Sequence, residues 1–280
     1  MILTNENLFL IVLGVVWIVG AILQDLHRRE VDNVWNFSLI AIALGYRAAV
    51  SIFVWDYWFF LNGLIGFGIF LILGNLFYYS RIFAGGDTKL VIALGTVLPL
   101  SYDWMVNFKI FGLFILLFLF GGAIYVFIWS LVLTIFNYKS FKKEYARQFK
   151  RYRKIFLISV LFVVFWIFSS YFVGMEFVYI GFIFLLFPIL FSYSKAVEEC
   201  CMVKRVYPKD LTEGDWLAED VFIGGKRIRA NWNGVSRSEL KLIQEKYRRK
   251  ILVKYGVPFT PAFLVGLLGV IFVSWKYGLV

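Results

Sequence analysis

The chain has 280 residues, 61% of them hydrophobic and 21% aromatic, and a net charge of +11. A soluble domain cannot bury that much apolar surface, so a soluble enzyme is excluded and a lipid-facing protein is expected. The positive charge would suit nucleic acid, but its placement points to membrane topology instead, and no nucleic-acid partner is expected.

Apolar runs near 8–24, 35–54, 58–79, 88–101, 108–136, 155–173, 177–193 and 258–276 approach the length that crosses a bilayer. They are continuous rather than alternating, which predicts helices and not a barrel. The expected fold is an all-α polytopic membrane bundle of about eight transmembrane helices with a small α+β cytoplasmic domain. The first run has no basic start and ends in Gln24-Asp25 rather than small residues, so it reads as a retained helix and not a cleaved signal. Residues 88–101 are the shortest span, rising only about 21 Å as a helix.

With the N-terminus outside, segments 25–34, 80–89, 137–154 and 194–257 fall inside and hold 26 of the 29 Lys and Arg. This positive-inside bias argues for a plasma-membrane protein with that orientation, and it requires 88–101 to cross. The expected organisation is a catalytic bundle at 1–136, a basic cytoplasmic loop at 137–154 and an additional helix pair at 155–193. A soluble α+β domain at 194–257 and a final helix at 258–280 complete it. The basic loop reads as a helical segment facing lipid headgroups.

In the soluble segment, Val203–Val206, Lys226–Trp232 and Ile251–Tyr255 read as strands, with turns at Gly224-Gly225 and Asn233-Gly234. Ser236-Arg237-Ser238-Glu239 is a capping box opening a helix to about Arg249. Asp210, Glu213, Asp215, Glu219 and Asp220 form an acidic stretch that reads as a solvated loop or as a holder of basic peptides. Cys200 and Cys201, with one His in the chain, cannot build a zinc site; no metal and no cofactor are expected.

Ionisable residues at membrane boundaries mark function. Asp25 ends the first run in Gln24-Asp25-Leu26-His27-Arg28-Arg29-Glu30-Val31-Asp32-Asn33, and Asp87 opens the short span in Gly85-Gly86-Asp87-Thr88-Lys89-Leu90. Charge counting puts both on the cytoplasmic side. Two facing carboxylates can share a proton, one activating water and the other protonating the departing group. Helix polarity predicts Asp87, at a helix start, as the more readily ionised partner and Asp25, at a helix end, as the proton carrier, with Lys89 adding to the effect. Gly85 and Gly86 would let a substrate strand approach and permit unusual backbone angles. The alternative is that Asp87 is an N-cap and the glycines a turn.

These paired motifs resemble the archaeal preflagellin and type IV prepilin peptidases, membrane aspartic proteases with a GxGD-type motif; Ala84 stands at its first glycine. The resemblance covers the first hundred residues best, and segment 203–257 also resembles the C-terminal region of some archaeal members. It implies that Asp25 and Asp87 are catalytic; from the residues themselves, Gly85, Gly86, Lys89 and Glu30 are expected in substrate-binding or supporting roles. It further implies cleavage of short basic signal peptides from preflagellin or prepilin-like precursors at the cytoplasmic membrane face. Bacterial members that also N-methylate carry a cysteine-rich loop, which this sequence lacks, so peptidase activity without methyltransferase is expected.

His27 reads as a solvated loop residue, and Arg28 and Arg29 as headgroup contacts. Asp32 or Asn33 is expected to cap the second helix, with Trp35 at the interface. Arg47 is expected to snorkel outward or pair with Asp56 or Asp103, and Gly63, Gly66 and Gly68 to allow close helix packing. Two other functions stay open. One is an intramembrane protease of the presenilin or signal-peptide-peptidase kind, although Asp25 follows Gln24 rather than Tyr. The other is an ion-coupled transporter, against which the aspartates lie at helix ends rather than at the midplane.

Overall fold

The computed structural model describes residues 4–83, 85–175, 177–231 and 233–278. Ala84, at the first position of the glycine motif, and Trp232, the expected end of a strand, lie outside the described residues. The chain divides into two compact units, Met1–Ile128 with Val257–Val280, and Trp129–Gly256.

The first unit holds α1 (Asn5–Arg28), α2 (Asn33–Val54), α3 (Tyr57–Tyr79), α4 (Gly85–Leu94), most of α5 (Trp104–Phe136) and α10 (Pro261–Tyr277). Among the described residues six helices are long and apolar enough to cross a membrane: α1, α2, α3, α5, α7 (Arg153–Val173) and α8 (Phe177–Cys200). The chain is thus a multi-pass membrane protein by helix length and composition. The other two expected spans are shorter: α10 has 17 residues and α4 only 10, about 15 Å of rise. Six of the roughly eight expected spans are thus matched by helices of full spanning length among the described residues.

The reason α4 stops lies in α2. After Leu94 the chain turns at Gly95 and runs irregularly to Ser101. Irregular backbone leaves carbonyls without helical partners, which is tolerated at membrane depth only where other groups satisfy them. Arg47, with 0% of its surface exposed, supplies those groups. Its Nε donates to Thr96 O at 2.9 Å, and its Nη2 to Val97 O at 3.3 Å and Pro99 O at 2.6 Å, while Nη1 reaches Phe59 O at 3.0 Å. Arg47 therefore neither snorkels nor pairs with Asp56 or Asp103; its charge is spent on backbone dipoles.

Two glycines make room for this crossing. A Cβ on Gly66 would stand 2.4 Å from Gly95 O, and one on Gly95 would stand 2.7 Å from Gly66 O, so α3 meets the end of α4 backbone to backbone. Gly63 lies against the Arg47 stem, as expected of a packing glycine, whereas Gly68 has no neighbour there. Trp17 and Trp35 tie α1 to α2, each indole donating to the other's carbonyl at 3.0 and 2.9 Å. Trp35 thus serves a helix contact as well as any interfacial role. An aromatic core of Phe70, Phe114, Phe118 and Phe263 joins α3, α5 and α10.

In the second unit α6 (Tyr138–Arg151) is the expected basic helix. Phe141 meets Tyr193 of α8 and Phe149 meets Phe156 of α7, ring to ring at 5.5 and 5.1 Å, while Lys139, Lys142, Lys143 and Arg147 are exposed. The strand-bearing segment forms an antiparallel sheet ordered β1 (Val203–Val206), β5 (Ile251–Lys254), β2 (Trp216–Leu217), and a hairpin of β3 (Val221–Ile223) and β4 (Lys226–Ile228). The hairpin turns on Gly224-Gly225 with φ of 53° and 81°, the left-handed pair such a tight turn demands. The capping box at Ser236 and Glu239 opens α9 (Arg237–Lys246), which ends before Arg249. Of the acidic stretch, Asp215 accepts from Thr212 N–H and Asp220 from Arg227 and Ala230 N–H, so local structure uses part of its charge.

An Arg47→Met variant keeps a long apolar stem and removes every donor. Stranding those carbonyls is expected to cost about 3 kcal/mol or more. Thermal unfolding in detergent should then fall by roughly 10 °C, and Arg47→Lys should recover only part, since one ammonium cannot span the fork. A Met variant melting like the wild type would remove this role from Arg47.

Candidate active site

Asp25 continues the buried stripe of α1 that runs through Ile18 and Ala21, and it is 8% exposed. Its Oδ2 accepts from the Thr260 amide at 3.3 Å and from the Thr260 hydroxyl at 3.0 Å. Thr260 is the N-cap of α10, and its own side chain makes no cap bond. A carboxylate at the end of one helix therefore caps the start of another, far along the chain.

Asp87 is the third residue of α4, inside its first turn rather than at the cap, and half-buried. The N-cap alternative for Asp87 is therefore not what the helix uses. Gly85 and Gly86 are helical and have no left-handed φ, so unusual backbone angles are not their role. A Cβ on Gly86 would lie 3.6 Å from Val31 N, an ordinary contact, and one on Gly85 would lie 4.0 Å from the Tyr78 ring. The segment before α4 is anchored by Phe83, whose ring meets Phe77, Phe118 and Phe259.

The two aspartates come within electrostatic reach. Burial and the Asp25 charge together push Asp87 up from 3.8 to about 7. This opposes the expectation from helix polarity. A helix N-terminus is worth roughly 0.3–1 kcal/mol to an anion, whereas a shift of about three pH units corresponds to roughly 4 kcal/mol before solvent screening at this half-buried group. Desolvation and like charge outweigh the short helix.

The flanking residues organise the loop between α1 and α2. Lys89 donates to Asn33 Oδ1 rather than acting on Asp87. Arg28 pairs with Asp32 at 2.7 Å, and Asp32 N–H donates to Gln24 at 2.9 Å. Asp32 occupies the N-cap position of α2 without a side-chain cap bond. His27 and Glu30 are exposed. Among the described residues no group of three His, Cys, Asp or Glu could hold a metal ion. A cavity of about 410 Å³ lies instead at the far end of α1, lined by Asn7, Asp56, Asn62 and Asp103 among others. Asp56 and Asp103 there cap Trp58 N–H and Met105 N–H, a structural use.

Thr260 is the residue that sequence reasoning missed. Its one local signal is a threonine before Pro261 at a helix start, which announces a cap and says nothing of Asp25.

A model of the type IV leader peptidase family matches residues 11–137. The resemblance to that family holds over the segment carrying both aspartates. A preflagellin peptidase of Methanococcus maripaludis is 35% identical over 89 residues, which is 31% of this chain and 38% of the relative. A preflagellin peptidase of Methanocaldococcus jannaschii is 27% identical over 88 residues, 31% of this chain and 37% of the relative. The matched segment thus spans well under half of either relative. No solved structure matches the chain at the same level of significance.

The raised Asp87 carries a stability consequence. A carboxyl whose folded value lies above its unfolded value favours the fold only while protonated. The penalty is absent well below 3.8, grows as pH rises, and is complete above about 7. Asp87→Asn should therefore raise the melting temperature at pH 8 by about 5 °C, with little gain at pH 4. Equal effects at both pH values would contradict the burial argument.

Proposed function

We propose that the protein is a membrane aspartic endopeptidase that removes short basic N-terminal signal peptides from preflagellin or type IV prepilin-like precursors. The reading rests on one observation above the others: a buried Asp25 and a half-buried Asp87, brought within electrostatic reach inside the family-matched segment. The lysine and arginine distribution supports a cytoplasmic position for both, with the N-terminus outside.

The chemistry follows from the unequal pair. Near neutral pH Asp87, raised to about 7, still carries a proton in a large share of molecules. Asp25, an acceptor at Oδ2, takes a proton from water as the water oxygen attacks the scissile carbonyl carbon. Asp87 gives its proton to the carbonyl oxygen. Collapse of the tetrahedral intermediate breaks the C–N bond, the departing amine takes the proton held by Asp25, and Asp87 recovers its own from an intermediate hydroxyl as the carbonyl re-forms. Glu30, exposed beside the loop, faces the basic signal, and the helical Gly85-Gly86 turn leaves room for a peptide strand to lie against backbone. The sequence carries no cysteine-rich loop, so the reading includes no N-methylation.

The test is the purified chain in lipid with a precursor whose short basic signal ends in Gly ahead of a hydrophobic helix. Asp25→Asn and Asp87→Asn should each lower cleavage by about a thousandfold or more. Gly86→Ala should melt like the wild type, since its Cβ fits the resting fold, and yet cleave more slowly. Cuts only within a transmembrane helix would favour a presenilin-like protease, and ion flux without proteolysis a transporter.

A further inference from the structure

We propose that Thr260 is a positioning residue of this site, its hydroxyl and amide both holding Asp25 Oδ2 as an acceptor. The inference deepens the aspartate-dyad reading and rests on it. Residue 260 lies outside the family match at 11–137, so the match assigns it no part.

Both donors of Thr260 converge on one oxygen, Asp25 Oδ2. A backbone N–H can only donate, so Oδ2 faces it as an acceptor and cannot direct a proton there. Among the described residues the hydrogen bonds to this carboxyl all go to Oδ2, not to Oδ1. Pro261 follows at the first helical position, where its ring fixes φ and it has no N–H of its own. Thr260 therefore provides the donors that a carboxylate meets at this helix start. The placement is rigid. Thr260 is 0% exposed, and Phe259 and Phe263 on either side are packed against Phe118 at 5.4 and 4.4 Å.

The surroundings offer few competing charges. Asp87 faces Asp25 from α4, Tyr125 from α5 feels both Asp25 and Arg29, and Tyr78 of α3 stands over Gly85. On α10 itself the first charged residue is Lys276, at the far end. Two hydrogen bonds from Thr260 are thus the main direct fixings of Asp25, and losing the hydroxyl removes the shorter.

The experiment measures kcat and KM against pH for the full chain in lipid with the same precursor. Thr260→Val should lower kcat about tenfold with little change in KM, and move the acidic limb up by about half to one pH unit. Thr260→Ser should restore the wild-type limb. Thr260→Cys, a weaker donor and a smaller packing change, should lie between and serves if the Val variant does not fold. An unmoved limb in folded Val or Cys protein overturns the proposal, as does a Ser variant displaced as far as Val. Asp25→Asn and Asp87→Asn run alongside: if they remain active the dyad reading fails, whereas inactivity there with an unmoved Thr260→Val limb overturns the Thr260 role alone.

Discussion

The donation of four hydrogen bonds by Arg47 to backbone carbonyls is the interaction on which the first unit depends. A guanidinium at membrane depth is costly unless each face finds a partner, and carbonyls of a broken helix are costly for the same reason. Each problem is the other's solution. Because Arg47 donates to the carbonyls of the unwound stretch after Leu94, α4 can be a 10-residue helix instead of a full span. A short helix can begin near the boundary and still be buried along its length. Asp87, in the first turn of that helix, is half-buried.

The aspartate pair then shows how three ordinary effects compete. A helix dipole would favour charge on Asp87. Burial opposes it, and so does a second carboxylate. The magnitudes decide for the latter two. Asp25 is more buried, yet it is capped by the start of α10, which offers an amide and a hydroxyl where hydrocarbon would offer nothing. Asp25 is provided with donors, whereas among the described residues no hydrogen bond to the Asp87 carboxyl is seen, so the two acids have unlike surroundings.

Much of this was legible in the sequence because it rests on patterns of side chains. Apolar runs located the helices, the lysine and arginine count located a basic helix at α6, and Ser236 with Glu239 located a helix start. Asp25 and Asp87 announced themselves as acids at helix ends. What escaped was what depends on backbone atoms and on distance along the chain. Arg47 binds carbonyls, which every residue carries, so nothing in the sequence marks its partners. The end of α4 is set by that arginine and by a glycine crossing, not by its own composition. Thr260 reaches Asp25 across 235 residues, and no local pattern spans that interval.

Peptide hydrolysis at a membrane needs water, and hydrocarbon excludes it. The acids must be dry enough to be matched in acidity and wet enough to be supplied. A dyad within a long helix would meet the first need and fail the second. Here one acid ends a helix and the other begins a short one. Around the turn from α1 to α2, Gln24, Arg28 and Asp32 are bonded among themselves, and Lys89 of α4 is bonded to Asn33. Those bonds tie the end of α1 to the starts of α2 and α4. On the proposed reading, the two carboxyls are left to act on each other and on a peptide brought to them.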